Sequence, residues 1–126
     1  VHVEVSNLVI PTLNDSDAML QSLCRWVKED MGPETPLHFL GFHPQYQMRH
    51  LPPTPASTLE RARDIAKAGG LHYVYVGNVL VTDALNTYCP SCRKLLVERR
   101  GYEVVHNEMT AGRCPACQTE IYGLWK

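Results

Sequence analysis

The chain has 126 residues, enough for one ordinary domain or for a partial domain plus a small metal module. Apolar residues make up 44% and charged residues 20%, and the net charge is −1, a balance that excludes a polyelectrolyte tail and an intrinsically disordered chain. Residues 1–85 carry six Lys/Arg against nine Asp/Glu and residues 86–126 six against four, so neither half has the basic stripe of a nucleic-acid or anionic-membrane binder.

The chain opens at Val1 with an alternating pattern, Val1-His2-Val3-Glu4-Val5, and turns fully apolar at Leu8-Val9-Ile10. That pattern predicts a strand over residues 1–10 that becomes buried on both faces, and Pro11 ends it. The absence of an initiator Met reads as a piece of something longer or a processed product. Asn14-Asp15-Ser16 offers helix-capping side chains, and Leu20, Leu23, Cys24, Val27 and Met31 then share one helical face until Gly32-Pro33. Cys24 lies on that stripe and reads as a small buried hydrophobe.

Residues 37–42 form a second short apolar strand. The following segment, with Pro44, Pro52, Pro53 and Pro55, is a loop. The next helix starts either at Thr54-Pro55 or at a Ser57/Glu60 capping box, and runs through Leu59, Ala62, Ile65 and Ala66 to Gly69-Gly70. Tyr73-Val74-Tyr75-Val76 is a third buried-type strand, ending at Gly77-Asn78.

Strand, helix, strand, helix, strand predicts parallel pairing with right-handed crossovers, in a sheet with one flank left open. In such sheets small molecules bind beyond the carboxyl ends of the strands. That rule selects Pro11 to Asn14, His43, and Gly77-Asn78. His2, His38, His50, His72 and His106 have no ligand spacing and read as surface or strand-face histidines.

From Asn86 onward short strand-like stretches, residues 95–97, 102–105 and 121–125, surround two matched clips, Cys89-Pro90-Ser91-Cys92 and Cys114-Pro115-Ala116-Cys117. The change in character puts a domain boundary near residues 80–86. Two Cys-x-x-Cys turns a hairpin apart supply four thiolates for one tetrahedral ion: zinc as a structural occupant, with a rubredoxin-like iron as the second choice. Gly often follows the second cysteine of such turns, where it relaxes the backbone. Here Arg93 and Gln118 stand there, so the turns form at some strain. Paired cysteines without a signal peptide or bilayer-length apolar run point to a reducing, intracellular, cytoplasmic setting.

Several of these runs together resemble a known family. Phe42-His43-Pro44, Leu51-Pro52-Pro53-Thr54-Pro55, Thr58-Leu59-Glu60-Arg61-Ala62-Arg63, Tyr73-Val74-Tyr75-Val76-Gly77-Asn78-Val79, Asn86-Thr87-Tyr88-Cys89-Pro90-Ser91-Cys92 and Cys114-Pro115-Ala116-Cys117 look like the C-terminal half of the radical S-adenosylmethionine enzymes of the AmmeMemoRadiSam system. These are relatives of the pyruvate formate-lyase activating enzymes. Leu8-Val9-Ile10-Pro11 with Asn14-Asp15 resembles a late strand and helix start of their barrel.

The resemblance implies an α/β fold: a partial (β/α) barrel segment with parallel strands over residues 1–85, then a small β-rich metal ribbon over 86–126. It also implies that Phe42-His43 matches the pair whose histidine contributes to the S-adenosylmethionine pocket; Asn78, selected by the carboxyl-edge rule, is the second candidate cofactor-binding residue. The family's [4Fe-4S] cluster is held by a Cys-x3-Cys-x2-Cys motif in the N-terminal half, a spacing this chain lacks. The expected partner is therefore that N-terminal half, or a subunit covering the open sheet flank, with a protein as one candidate substrate. Leu80-Val81-Thr82-Asp83-Ala84-Leu85 stands where the family carries a Gly-His loop, which removes a candidate acid, base or ligand. The alternative function is a catalytically inactive zinc-ribbon subunit of a larger assembly.

Overall fold

In a computed structural model of the chain, the structure describes residues 3–43, 51–79, 83–100 and 103–122. The chain divides into two compact units, residues 4–84 and residues 85–126 with the first three residues.

The first unit runs β1 (Val5–Val9), α1 (Asp17–Trp26) with a π-helical turn (Val27–Met31), β2 (Leu37–Gly41), α2 (Ala56–Ala68) and β3 (Val74–Gly77). The three strands form a parallel sheet in the order β1-β2-β3, with Val5 opposite Leu37 and Leu37 opposite Val74. Parallel partners share a face, so Leu37, Phe39, Val74 and Val76 point to one side together with Val9. There they join Leu20, Cys24 and Val27 of the first helical segment and Leu59, Ala62 and Ala66 of α2 in a single core. Both helices thus cover the same face.

The opposite face presents Ser6 and Leu8, His38 and Leu40, Tyr75 and Gly77. Leu8 is 43% exposed there. The expectation of a strand buried on both faces is corrected for β1: within residues 4–84 both described helices pack on the other face, and Leu8 stays exposed. His38 stacks on Tyr75 with ring centroids 5.1 Å apart, and its Nε2 meets Glu4 Oε1 at 2.9 Å.

Local signals explain the ends of the helices. Ser16 caps α1 by accepting from the Met19 N–H. The helical segment closes at Gly32, whose φ of +105° suits glycine and whose N–H reaches back five residues to Val27. α2 begins after Pro55 with no side-chain cap, so the Ser57/Glu60 capping box does not form. Thr54 is used elsewhere: its hydroxyl donates to Val9 O at 2.5 Å and accepts from Phe42 N at 2.8 Å, while Thr54 N donates to Phe42 O at 3.0 Å. After β3, Ala84 is buried in the same core, and its carbonyl accepts from Val76 N at 3.1 Å.

The second unit holds β4 (Thr87–Tyr88), β5 (Leu95–Arg100) and β6 (Glu103–Asn107), an antiparallel sheet in that order. Asn86 and Arg99 fix its start. The Asn86 side-chain oxygen accepts from Arg99 N at 2.9 Å, and the Arg99 guanidinium donates to Leu85 O at 2.9 Å and Thr87 Oγ1 at 2.8 Å. The stretch expected to be extended over 121–125 shows no strand at its described residues, Ile121 and Tyr122; the bridge from Arg113 falls just before it, at Glu120. Residues 123–125 lie outside the described residues, as do Tyr102, Pro44, His2 and His50.

Candidate metal centre

Each cysteine clip folds into the same turn. In the first, Cys89 N donates to Lys94 O at 2.9 Å and Arg93 N to Cys89 O at 2.9 Å; in the second, Cys114 N donates to Thr119 O at 3.0 Å and Gln118 N to Cys114 O at 2.8 Å. The fifth residue of each turn, Arg93 and Gln118, has φ of +65°. That left-handed conformation costs a non-glycine residue about 1–2 kcal/mol. The strain expected from the missing glycines is therefore located at these two backbones.

The turns bring the sulfurs of Cys89, Cys92, Cys114 and Cys117 within 4.8 Å of one another. Two contacts cross between the turns, Cys89 to Cys117 at 3.5 Å and Cys92 to Cys114 at 3.6 Å. A tetrahedron with metal–sulfur bonds near 2.3 Å has sulfur–sulfur edges of about 3.8 Å, so this quartet is spaced to hold a metal ion. Cys89 and Cys114 are buried while Cys92 and Cys117 are exposed.

The surroundings favour thiolates unequally. The Thr119 hydroxyl, 3.1 Å from the sulfur, and then the Thr119 backbone N–H pull Cys117 down to about 6. At Cys92 the Lys94 backbone N–H pulls the same way, but loss of solvent and the neighbouring sulfurs outweigh it and push the thiol up to about 11. A first thiolate makes the next harder to form, a conflict that a bound cation removes. Backbone N–H groups of Lys94 and Thr119 thus serve equivalent sulfurs in the two turns, the outer hydrogen bonding a thiolate site needs.

Lys94 adds a cation close by. Its ammonium is held above its ordinary range first by Glu108, 3.0 Å away, and then by the charges of Cys114 and Cys92. Glu108 also meets His106 at 3.1 Å. Lys94, His106 and Glu108, with Pro115 and Ala116 of the second turn, line an open depression of about 530 Å³.

The carboxyl edge of the parallel sheet gathers the other residues singled out from sequence. Exposed His43 places Nε2 3.2 Å from Asn78 O, and Asn78 Nδ2 reaches Gly41 O at 3.4 Å. Asn14 accepts from Ile10 N at 2.6 Å and donates to Leu8 O at 2.8 Å. With Thr54 on Val9 O, the terminal carbonyls of β1 and β2 are each met by a side chain. Asn78 (φ +65°) and Thr12 (φ +68°) both take the left-handed conformation there. His43 and Asn78 thus adjoin one another, as the four cysteines do.

Sequence reasoning read Thr54 only as a helix start and gave no role to Thr119 or Arg99; Thr54 and Arg99 have partners on other strands, while Thr119 serves Cys117 two residues before it in its own turn. Of the 80–85 segment, Asp83 has φ of +63° and its carbonyl accepts from Arg63 at 3.3 Å, while residues 80–82 are outside the described residues. Cys24 is buried in the core, and burial pushes its thiol up to about 11. Among the described residues no helix is long and apolar enough to cross a membrane.

No family model matches the chain, and no solved structure matches it. The chain is 43% identical over 123 residues to an uncharacterized protein of Methanocaldococcus jannaschii, an alignment that covers 96% of this chain. It spans only 37% of that relative's length.

Proposed function

We propose that this chain is the C-terminal portion of a longer radical S-adenosylmethionine enzyme. β1, β2 and β3 supply late strands of its partial (β/α) barrel, His43 and Asn78 close the cofactor and substrate pocket at the carboxyl edge, and the cysteine ribbon carries a structural zinc ion. Iron is the second choice of metal.

The observation that carries this reading is the one-sided sheet. Parallel sheets are covered on both faces, and curling into a barrel is the arrangement in which helices cover one face and opposing strands the other. Here both helices lie on one face, leaving Ser6, Leu8, His38, Leu40 and Tyr75 for an interior. The greater length of the archaeal relative is consistent with further strands, and the order of the motifs supplies the chemical class.

Within such an enzyme this chain contributes no cluster ligands. The cluster and S-adenosylmethionine, bound by the rest of the protein, would supply the radical chemistry. The four thiolates saturate their ion and leave no open position, which assigns the ribbon a structural role. The test is the longer protein, reconstituted with iron and sulfide. Reduced [4Fe-4S] electron paramagnetic resonance and cleavage of S-adenosylmethionine to 5′-deoxyadenosine are expected. A parent protein with no Cys-x3-Cys-x2-Cys motif and no cluster would overturn the reading. That outcome would select the inactive zinc-ribbon subunit, which the Leu80 to Leu85 segment in place of a Gly-His loop favours.

A further inference from the structure

We propose that the four-cysteine centre is a peroxide-sensitive site that oxidises to two particular disulfides, Cys89–Cys117 and Cys92–Cys114, and releases its metal as it does so. The inference rests on the metal reading above and extends it to a reaction.

Geometry selects the pairs. Both lie across the two turns, at 3.5 and 3.6 Å, and each cysteine is used once, so both bonds can form in one molecule. A disulfide bond of about 2.05 Å requires each pair to close by roughly 1.5 Å. Each pair also joins one exposed sulfur, Cys117 or Cys92, to one buried sulfur, Cys89 or Cys114. The exposed member meets the oxidant and the buried member resolves the product, the division of labour that disulfide-forming sites use.

The chemistry balances with hydrogen peroxide as the oxidant. The exposed thiolate attacks one peroxide oxygen, the O–O bond breaks, and a sulfenic acid and a hydroxide result. The buried thiolate then attacks the sulfenic sulfur, forms the S–S bond and expels a second hydroxide. Over the whole centre, four thiolates and two peroxides yield two disulfides, four hydroxides and a free metal ion. Disulfide sulfurs are poor zinc ligands, so the ion departs.

Cross-turn bonds leave the two turns tied together after the metal has gone. Bonds within each turn would release them from one another. The oxidised ribbon therefore keeps a closure that simple chelation removes.

The experiment treats the reduced, zinc-loaded chain with hydrogen peroxide, follows zinc with a chromogenic chelator, and maps disulfides in tryptic peptides by fragmentation mass spectrometry. Cleavage after Arg93 and Arg113 leaves Cys89 with Cys92 in one peptide and Cys114 with Cys117 in another. Stoichiometric zinc release, a linked pair of these peptides joined 89 to 117 and 92 to 114, and recovery of zinc binding after dithiothreitol are expected. Buried Cys24 should stay reduced as an internal control. Retained zinc, unlinked peptides or the opposite pairing would each overturn the inference. A reduced chain that takes up no zinc before peroxide is added overturns the metal reading and this inference with it.

Discussion

Arg93 and Gln118 occupy the same position in two separate turns and hold the same backbone conformation, φ +65°, one residue past the second cysteine of each clip. Their N–H groups donate to the carbonyls of Cys89 and Cys114, so the strained residue closes the turn that positions both sulfurs. Replacing either by glycine removes the steric penalty and adds unfolded-state entropy, and the first effect exceeds the second. Arg93→Gly and Gln118→Gly should each stabilise the metal-loaded ribbon by about 0.5–1 kcal/mol. Arg93→Val should destabilise it. Denaturant midpoints at fixed zinc report both, and a lower midpoint for the glycine variants would contradict the argument.

Metal binding should hold the ribbon unit together. Structural thiolate sites contribute binding free energies of about 10–16 kcal/mol that are also folding free energy. Chelation under reducing conditions should expose residues 85–122 to protease while the α2 amides stay protected. Cys114→Ser should behave like chelation, because the substituted side chain is buried in the site. Amide exchange followed by mass spectrometry resolves the two units, and uniform exchange behaviour across the chain would refute the assignment.

Zinc affinity should fall as pH falls. All four ligands bind as thiolates, and Cys92 is protonated in the metal-free chain at neutral pH because its thiol is raised to about 11. Binding therefore expels protons, and acidification opposes it. Cys117, lowered to about 6, stays a thiolate until pH falls through that value, below which one more proton must be displaced. Competition titrations should show the affinity steepening its decline with acidity below about pH 6. A pH-independent affinity would rule out thiolate coordination.

Two glycines in the parallel sheet should respond unequally to a methyl group. A Cβ on Gly41 would overlap the Val79 side chain, a branched residue with little room to turn, whereas one on Gly77 would meet only the flexible tip of Leu40 at 2.9 Å. Gly41→Ala should cost about 1–3 kcal/mol and Gly77→Ala less than about 1 kcal/mol. Thermal unfolding of the two variants checks the order.

Asn7 carries a buried side-chain oxygen with no hydrogen-bond partner among the described residues. It sits on the helix-covered face of β1, opposite Phe39. Asn7→Val should stabilise the isolated chain by about 1 kcal/mol or more, since it removes an unsatisfied buried acceptor and suits a strand. A loss of stability would mean that the oxygen has a partner.

The readable part of this molecule was the part written in short spacings. Cys89, Cys92, Cys114 and Cys117 announce their turns within four residues, and the order of apolar runs and proline breaks gives three parallel strands and two helices. What stayed hidden was long-range: Thr54 lies in a proline run that reads as a helix start, yet its hydroxyl is fixed by Val9, 45 residues earlier. Arg99 reads as a surface charge on β5 and instead ties down Leu85 and Thr87. Leu8 reads as a core residue because nothing in a lone sequence tells which face of a sheet the chain leaves uncovered.

The bonds between Thr54 and Phe42 also bear on how such a chain can change over generations. They clamp both stems of the proline-rich segment to one spot on the sheet, twelve residues apart in sequence. Residues added or deleted between the stems leave the start of α2 and the end of β2 where they are, because a longer loop costs little once its ends are fixed. The segment between residues 43 and 53 is therefore where related chains can differ in length, and where a new specificity can be tried without refolding the core.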